Sequence, residues 1–313
     1  MMLQFLATKT IRAALTMWLV ITFVFIVLRI SGDPTDILLP DDASDAVRNF
    51  YRAKWGLDRP LWDQYLSYWS ALLTGDFGIS LRNNLPAWDM VMDRAPKTLL
   101  LGGTALGFSL AIGLPLGILA AWWRGSSLDR AVMTTAVFGF SMPNFFLGIL
   151  LILTFSLHLR WLPSSGSETA AHLILPAFTL GTAFAAQLAR FTRSAMIDVL
   201  TKPYMTTAKS KGASEARRVF AHAVPNASVP IATILGLKVG ELIGGAVVTE
   251  TVFAWPGLGR LLVHAVAVRD LAVVQAILIL IAATMVATNL LVDLYYGWAD
   301  PRVRVGRTKG ARA

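Results

Sequence analysis

Apolar runs long enough to cross a bilayer alternate along this chain with shorter polar stretches. A helix rises 1.5 Å per residue, so ~30 Å of hydrocarbon needs about 20 consecutive apolar positions. Such runs occupy 11–30, 98–123, 131–157, 172–189, 228–249 and 271–296. Pro115, Pro143, Pro176 and Pro230 lie within or at the ends of these runs. A bundle tolerates them, because neighbouring helices satisfy the carbonyls that a proline frees. The pattern predicts an all-α integral membrane protein of six transmembrane helices.

Composition sharpens this reading. Of 313 residues 55% are hydrophobic and only 15% charged, and the mean hydropathy is +0.59, too apolar for a soluble enzyme of this length. The net charge of +9 does not indicate nucleic acid, because the bases are scattered among apolar runs rather than gathered on one surface. With no cysteine, disulfides, thiolate catalysis and Cys-ligated metal centres are excluded.

The bases also orient the chain. Lys9, Arg12, Arg124, Arg130, Arg190, Arg193, Lys202, Lys209, Lys211, Arg217, Arg218 and the tail from Arg302 to Arg312 all fall on one side of an even-numbered topology. Cytoplasmic loops hold the excess of Lys and Arg, so both termini are expected in the cytoplasm. The opposite side is acidic, with Asp33, Asp58, Asp63, Asp76, Asp89 and Asp93 among its residues. The first run is too long for a signal-peptide core, and no small-x-small site follows at "RISGDP", which predicts an uncleaved first helix. The expected divisions are 1–30 (first helix), 31–97 (external segment), 98–301 (permease domain) and 302–313 (basic tail).

Catalytic patterns are missing from the sequence. It contains no GxxxxGK[ST] phosphate loop, no HExxH and no GxSxG elbow. His158, His172, His222 and His264 are dispersed, without metal-ligand spacing. No catalytic and no metal-binding residue is predicted, and a pathway-forming subunit is favoured over an enzyme.

The segment "TTAKSKGASEARRVFAHAVPN", 206–226, is basic and polar between two apolar runs. It reads as two short helices joined near Gly212, the first begun by Lys202 and Pro203, with Pro225 and Pro230 marking the entrance to the fifth span. On charge alone, such a segment equally fits a loop lying near lipid phosphates.

Spacing adds a resemblance. The segment resembles the cytoplasmic EAA loop of ATP-binding-cassette (ABC) import permeases, with Ala208 as the last alanine, Gly212 as the glycine and Pro225 as the later proline; Thr206 and Thr207 stand where Glu and Ala are usual. "KWGLDRPLWDQYLSYWSALLTGDFGISL", "FSMPNFFLGILLILTFSLHLRWLPSSG", "GGAVVTETVFAWPGLGRLL", "AVRDLAVVQA" and "NLLVDLYYGWADPR" look like the oligopeptide/dipeptide/nickel branch, specifically its B-type permease subunits. The resemblance runs from the first helix to about Arg302.

It implies a type I importer permease in the bacterial cytoplasmic (inner) membrane, surrounded by lipid. The implied partners are a second, related permease in a heterodimer, two ABC ATPases that bind ATP and Mg, and an external substrate-binding protein. The chain itself would hold no cofactor. The loop 200–226, with Thr206, Thr207, Ala208, Lys209, Lys211, Gly212, Ala213, Glu215 and Pro225, would seat in an ATPase and transmit its closure. The implied cargo is di- or oligopeptide, with nickel or another small solute as the alternative.

Two further places draw attention. In 250–270, Glu250, Phe253, Trp255, Pro256 and Gly257 combine apolar side chains with helix breakers, which suggests a short helix or re-entrant turn at the external mouth, acting as a gate or a docking surface. On the fifth span, Lys238 and Glu241 are three positions apart on one face, about 15 Å deep. Charges at that depth either line a pathway or pair with each other. In the external segment, "LDRPLWDQYLSYW" is amphipathic, with Leu61, Tyr65, Tyr68 and Trp69 along the interface, and "GDFGISL" reads as a turn into a return segment. Its scattered acids lack a calcium-loop pattern, so a scaffold for the binding protein is favoured. A secondary transporter would be expected to show repeated halves, and a channel a filter string; neither pattern is evident.

Overall fold

The computed structural model describes residues 2–30, 35, 44–54, 56–80 and 82–299. The basic tail and Asp33, Asp36, Asp41 and Asp42 of the acidic segment lie outside that set. Among the described residues the chain is helical, with one isolated bridge between Ile79 and Pro86. The helices are α1 (Met2–Ile30), α2 (Asp45–Lys54), α3 (Leu61–Leu73), α4 (Ala87–Trp122), α5 (Ser127–Ser141), α6 (Asn144–Leu151), α7 (Ala171–Leu200), α8 (Pro203–Ser210), α9 (Val224–Val252), α10 (Leu258–Ala267) and α11 (Leu271–Ala299).

Five helices are long and apolar enough to cross a membrane, and a bent pair makes a sixth if taken as one span. That pair corrects the expectation of one continuous helix over 131–157. The helix stops at Ser141 and restarts at Asn144, continuing with π-helical geometry over Ile152–His158, and the two parts meet at 98°. Pro143 is the cause: it cannot donate to the preceding turn and pushes Met142 into extended backbone (φ −78°, ψ 122°). The second and fourth spans also outrun their apolar runs. α4 starts at Ala87, inside the predicted external segment, and α7 continues to Leu200.

α4 and α7 pack through a stripe of small residues. Gly113 and Gly117 are spaced G-x-x-x-G on α4 and face Ala185 and Ala189 of α7. A Cβ at Gly113 would stand 2.7 Å from the Ala185 carbonyl oxygen, and one at Gly117 2.6 Å from that of Ala189. One turn further, a Cβ at Gly181 would stand 2.7 Å from Phe108. Such close backbone approach drives helix association in lipid, where the solvent offers no hydrophobic gain. Ser109 fastens the same seam, donating its hydroxyl to Gly181 O at 2.9 Å and to Ala105 O at 2.7 Å.

The amphipathic α3 does more than lie along an interface. Tyr65 and Thr22 of α1 share a hydroxyl hydrogen bond of 2.7 Å, and both Tyr65 and Tyr68 pack rings against Phe25. "GDFGISL" is the turn its glycines suggest: Gly75 and Gly78 take φ +80° and +84°, and Ala87 N donates to Gly78 O at 2.9 Å. Ser80 then donates its hydroxyl to the buried Asp270 carboxylate in the turn between α10 and α11.

Candidate functional site: a buried carboxylate at one end and a coupling segment at the other

At one end of the bundle, α9 is followed by a tight turn and α10. Glu250, Phe253 and Trp255 are all buried, at 0%, 2% and 2% exposure. The segment is therefore packed into the bundle in this structure. Glu250 lies in the last turn of α9, and α9 ends at Val252. Ala254 takes φ +47°, a left-handed conformation that costs a non-glycine residue on the order of 1 kcal/mol. Pro256 and Gly257 lead into α10, and Gly259 lies within it.

The Glu250 carboxylate knits three elements. Its Oε1 accepts from the Thr98 hydroxyl of α4 at 2.6 Å, and its Oε2 from the Arg260 amide of α10 at 3.0 Å. Thr98 in turn accepts from the Leu258 amide at 2.7 Å. The first amides of α10 are thus satisfied by one hydroxyl and one carboxylate, and the anion sits where the helix dipole favours it. Gly257 and Gly259 are required for this fit. A Cβ at Gly257 would fall 2.2 Å from Glu250 Oε1, and one at Gly259 2.5 Å from Val247 Cα. Trp255 seals the side, donating Nε1 to Lys97 O at 3.0 Å and packing with Leu101, Ala105, Ala177, Leu180 and Ala246.

At the opposite end, the 203–226 segment forms the first of the two expected short helices and the turn at Gly212. Lys202 stands at the N-cap of α8, and Pro203 occupies its first turn, where a missing N–H is harmless. Gly212 follows with φ +81° and no atom within 4 Å of a built Cβ, so glycine is needed there for the backbone turn and not for room. Ser214 then caps the second part, accepting from Arg217 N at 3.3 Å. That part is not a separate helix: Glu215–Arg217 runs through π-helical Arg218–Ala223 directly into α9. Pro225 falls in the first turn of α9 and Pro230 inside it.

One side chain anchors α8. Met205 is 2% exposed and packs in a cluster with Ala121, Leu188, Met196, Val219 and Ala223. Thr206, Thr207, Lys209, Lys211, Gly212, Glu215 and Pro225 are exposed, while Ala208 and Ala213 are half-buried. Tyr204 and Phe220 add apolar exposed surface, 45% and 55%, beside the bases.

The same end holds a strong ion pair that sequence reasoning missed. Arg193 of α7 donates Nε to Asp129 Oδ1 at 2.6 Å and Nη2 to Asp129 Oδ2 at 2.8 Å. Gly125 N also donates to Oδ2, at 2.9 Å, and Ser126 caps α5 by accepting from Asp129 N at 3.2 Å. A bidentate Arg–carboxylate pair fixes orientation as well as distance. It locks the α4–α5 turn to α7.

Of the two mid-span charges, Lys238 Nζ stands 5.4 Å from the centre of the Phe184 ring on α7, a cation–π arrangement. The side chain of Glu241 lies outside the described residues. Among the described residues, no group of three or more His, Cys, Asp or Glu is placed to hold a metal ion.

A helical bundle with long apolar spans and a short exposed helix between two of them fits a multi-pass membrane protein. The chain belongs to the family described as "Binding-protein-dependent transport system inner membrane component", which matches residues 113–305. The N-terminal component of the same systems matches residues 2–102. It is accordingly an inner-membrane permease subunit of an ABC importer. The glutathione transport system permease proteins GsiC of Escherichia coli K12 and of Shigella dysenteriae serotype 1 are each 41% identical to it over 304 residues, 97% of this chain and 99% of theirs. Among solved structures, inward-facing forms of the MetNI methionine ABC transporter match 69% of this chain and 95% of theirs. Their TM-scores are 0.50 and 0.52 at 20% and 19% identity, a likeness of fold. The resemblance to ABC import permeases is thereby established.

Proposed function

We propose that this chain forms half of the translocation pathway of an ATP-driven importer for small peptides or peptide-like solutes. The observation that carries the cargo class is the 41% identity, over nearly the whole length, to permeases of a glutathione transport system. Glutathione is itself a small peptide. In this reading the other half of the pathway is a second, related permease. Two separate ATPases supply nucleotide binding, and an external binding protein delivers cargo. The chain carries out no chemistry of its own.

The 203–226 segment lies on the cytoplasmic side and seats in an ATPase, with the exposed Tyr204, Phe220, Lys209 and Lys211 available to it. Support comes from its build: the exposed helix is anchored through Met205 against residues of α4, α7 and α9. Closure of the ATPases on ATP then biases one arrangement of the spans over the other, which requires ATP to bind the two arrangements unequally. The Glu250 plug is on the external side and closes the mouth in the present arrangement.

Uptake tests the cargo. Proteoliposomes holding the assembled transporter, with ATP inside the compartment facing the ATPases, are expected to accumulate labelled dipeptides or S-methylglutathione when the binding protein is present. Accumulation of nickel and no peptide under the same conditions contradicts the peptide reading.

A further inference from the structure

A cavity of about 310 Å³ opens beside the plug, lined by Arg94, Pro256, Gly257, Arg260, Leu261 and His264. That size is at the lower end of small-molecule sites. Two arginines and a histidine are among its lining residues, and no lining residue is acidic.

The lining is of a kind that suits an anion. Arg260 and His264 are four apart on α10, neighbouring positions on one helical face. Two carboxylates lie nearby. Glu250, under Gly257, is engaged with Thr98 and with the amide of Arg260. Asp93 meets Arg94 at 3.3 Å, but its side chain is 75% exposed. Arg260 is held in place as well as charged: its Nη1 donates to Ala254 O at 2.6 Å, a carbonyl presented by the left-handed turn at Ala254. A guanidinium fixed by one nitrogen presents its other donors as a fork suited to a carboxylate. On the reading proposed above, these bases also lie on the external side, where the distribution of charge does not call for them.

We infer that this cavity is a binding site for the free carboxylate of a small peptide-like solute at the external mouth of the pathway, with Arg260 and Arg94 as its carboxylate-binding groups and His264 beside them. The inference rests on the permease reading, but its test does not depend on transport.

The full chain, purified in lipid nanodiscs with the subunits that accompany it, is titrated with S-methylglutathione and with its diamide, using calorimetry. The acid is expected to bind at least about tenfold more tightly than the diamide, the scale of one charge-assisted contact. Arg260→Gln retains the backbone amide that Glu250 uses, and its melting temperature beside that of the wild type reports whether the turn at Ala254 is kept. It and Arg94→Gln are expected to weaken the acid by about tenfold and leave the diamide unchanged. Equal binding of acid and diamide, no binding of either, or indifference to both substitutions overturns the site. So does a variant that binds the acid normally but loses capture of the external binding protein, which assigns the bases to an acidic protein surface. ATPase subunits in the same preparation separate the two claims: preparations that carry them but bind no acid refute the site and leave the permease standing.

Discussion

Thr98 on α4 and Glu250 on α9, 152 positions apart, meet in a 2.6 Å hydrogen bond between hydroxyl and carboxylate. The same Thr98 oxygen accepts the Leu258 amide, so the pair joins two spans to the first turn of α10. Glu250→Ala removes the acceptor and leaves buried donors unsatisfied, which is expected to lower stability by about 3 kcal/mol. Glu250→Gln keeps the size and one acceptor and is expected to cost less than half of that. Thermal unfolding in detergent, followed by tryptophan fluorescence, ranks the two variants.

The floor under this carboxylate is specified by glycine. Gly257→Ala places a methyl 2.2 Å from Glu250 Oε1 and must displace the carboxylate or the turn. A loss of about 2 kcal/mol is expected. Gly103→Ala, on an exposed face of α4 with nothing within 4 Å, is the control and is expected to be neutral or stabilising by up to about 1 kcal/mol. A comparison of melting temperatures decides it.

The α4–α7 seam makes a parallel prediction. Gly117→Leu drives a side chain into the Ala189 carbonyl and Thr192, each 2.6 Å from a built Cβ, and is expected to cost about 3 kcal/mol and to reduce membrane-inserted yield. Gly117→Ala is expected to be milder but measurable.

Asp129 and Arg193 bind in bidentate fashion, with side-chain exposures of 5% and 27%. Asp129→Ala strands a partly buried guanidinium, at a cost of about 3 kcal/mol. Arg193→Lys keeps the charge but not the fork and is expected to recover only part of the loss. Limited proteolysis at the α4–α5 turn reports the loosening.

Helix existence was legible from apolar length, because bilayer thickness imposes it directly. The ends of the helices were less so. α4 extends eleven residues before the apolar run begins, as 87–97 is amphipathic and packs Ala87 and Val91 against Leu258 and Val273; the run alone shows only where lipid begins. The break at Pro143 was visible as "SMPN", yet whether a proline kinks or ends a helix depends on its neighbours. The G-x-x-x-G of Gly113 and Gly117 was also readable in "GLPLG", as a local motif with a packing meaning. The Thr98–Glu250 and Asp129–Arg193 pairs were not readable, because nothing local in the sequence ties residues 152 or 64 positions apart. The short helix and turn over 203–212 were legible because Pro203 and Gly212 each have a backbone role that few other residues can fill.

The central claim is that the 203–226 segment couples this permease to separate ATPases. It is tested most directly by tagging the chain, purifying it gently from its native membranes, and measuring both the ATPase subunits that accompany it and the ATP hydrolysed per solute imported. Met205→Asp, which charges the buried anchor of α8, and Gly212→Trp are the diagnostic variants. The account predicts that the wild-type chain brings ATPases with it, and that each variant either releases them or keeps them hydrolysing ATP without uptake. A chain that purifies without ATPases yet still concentrates solute, or variants that import at the normal rate, would contradict it.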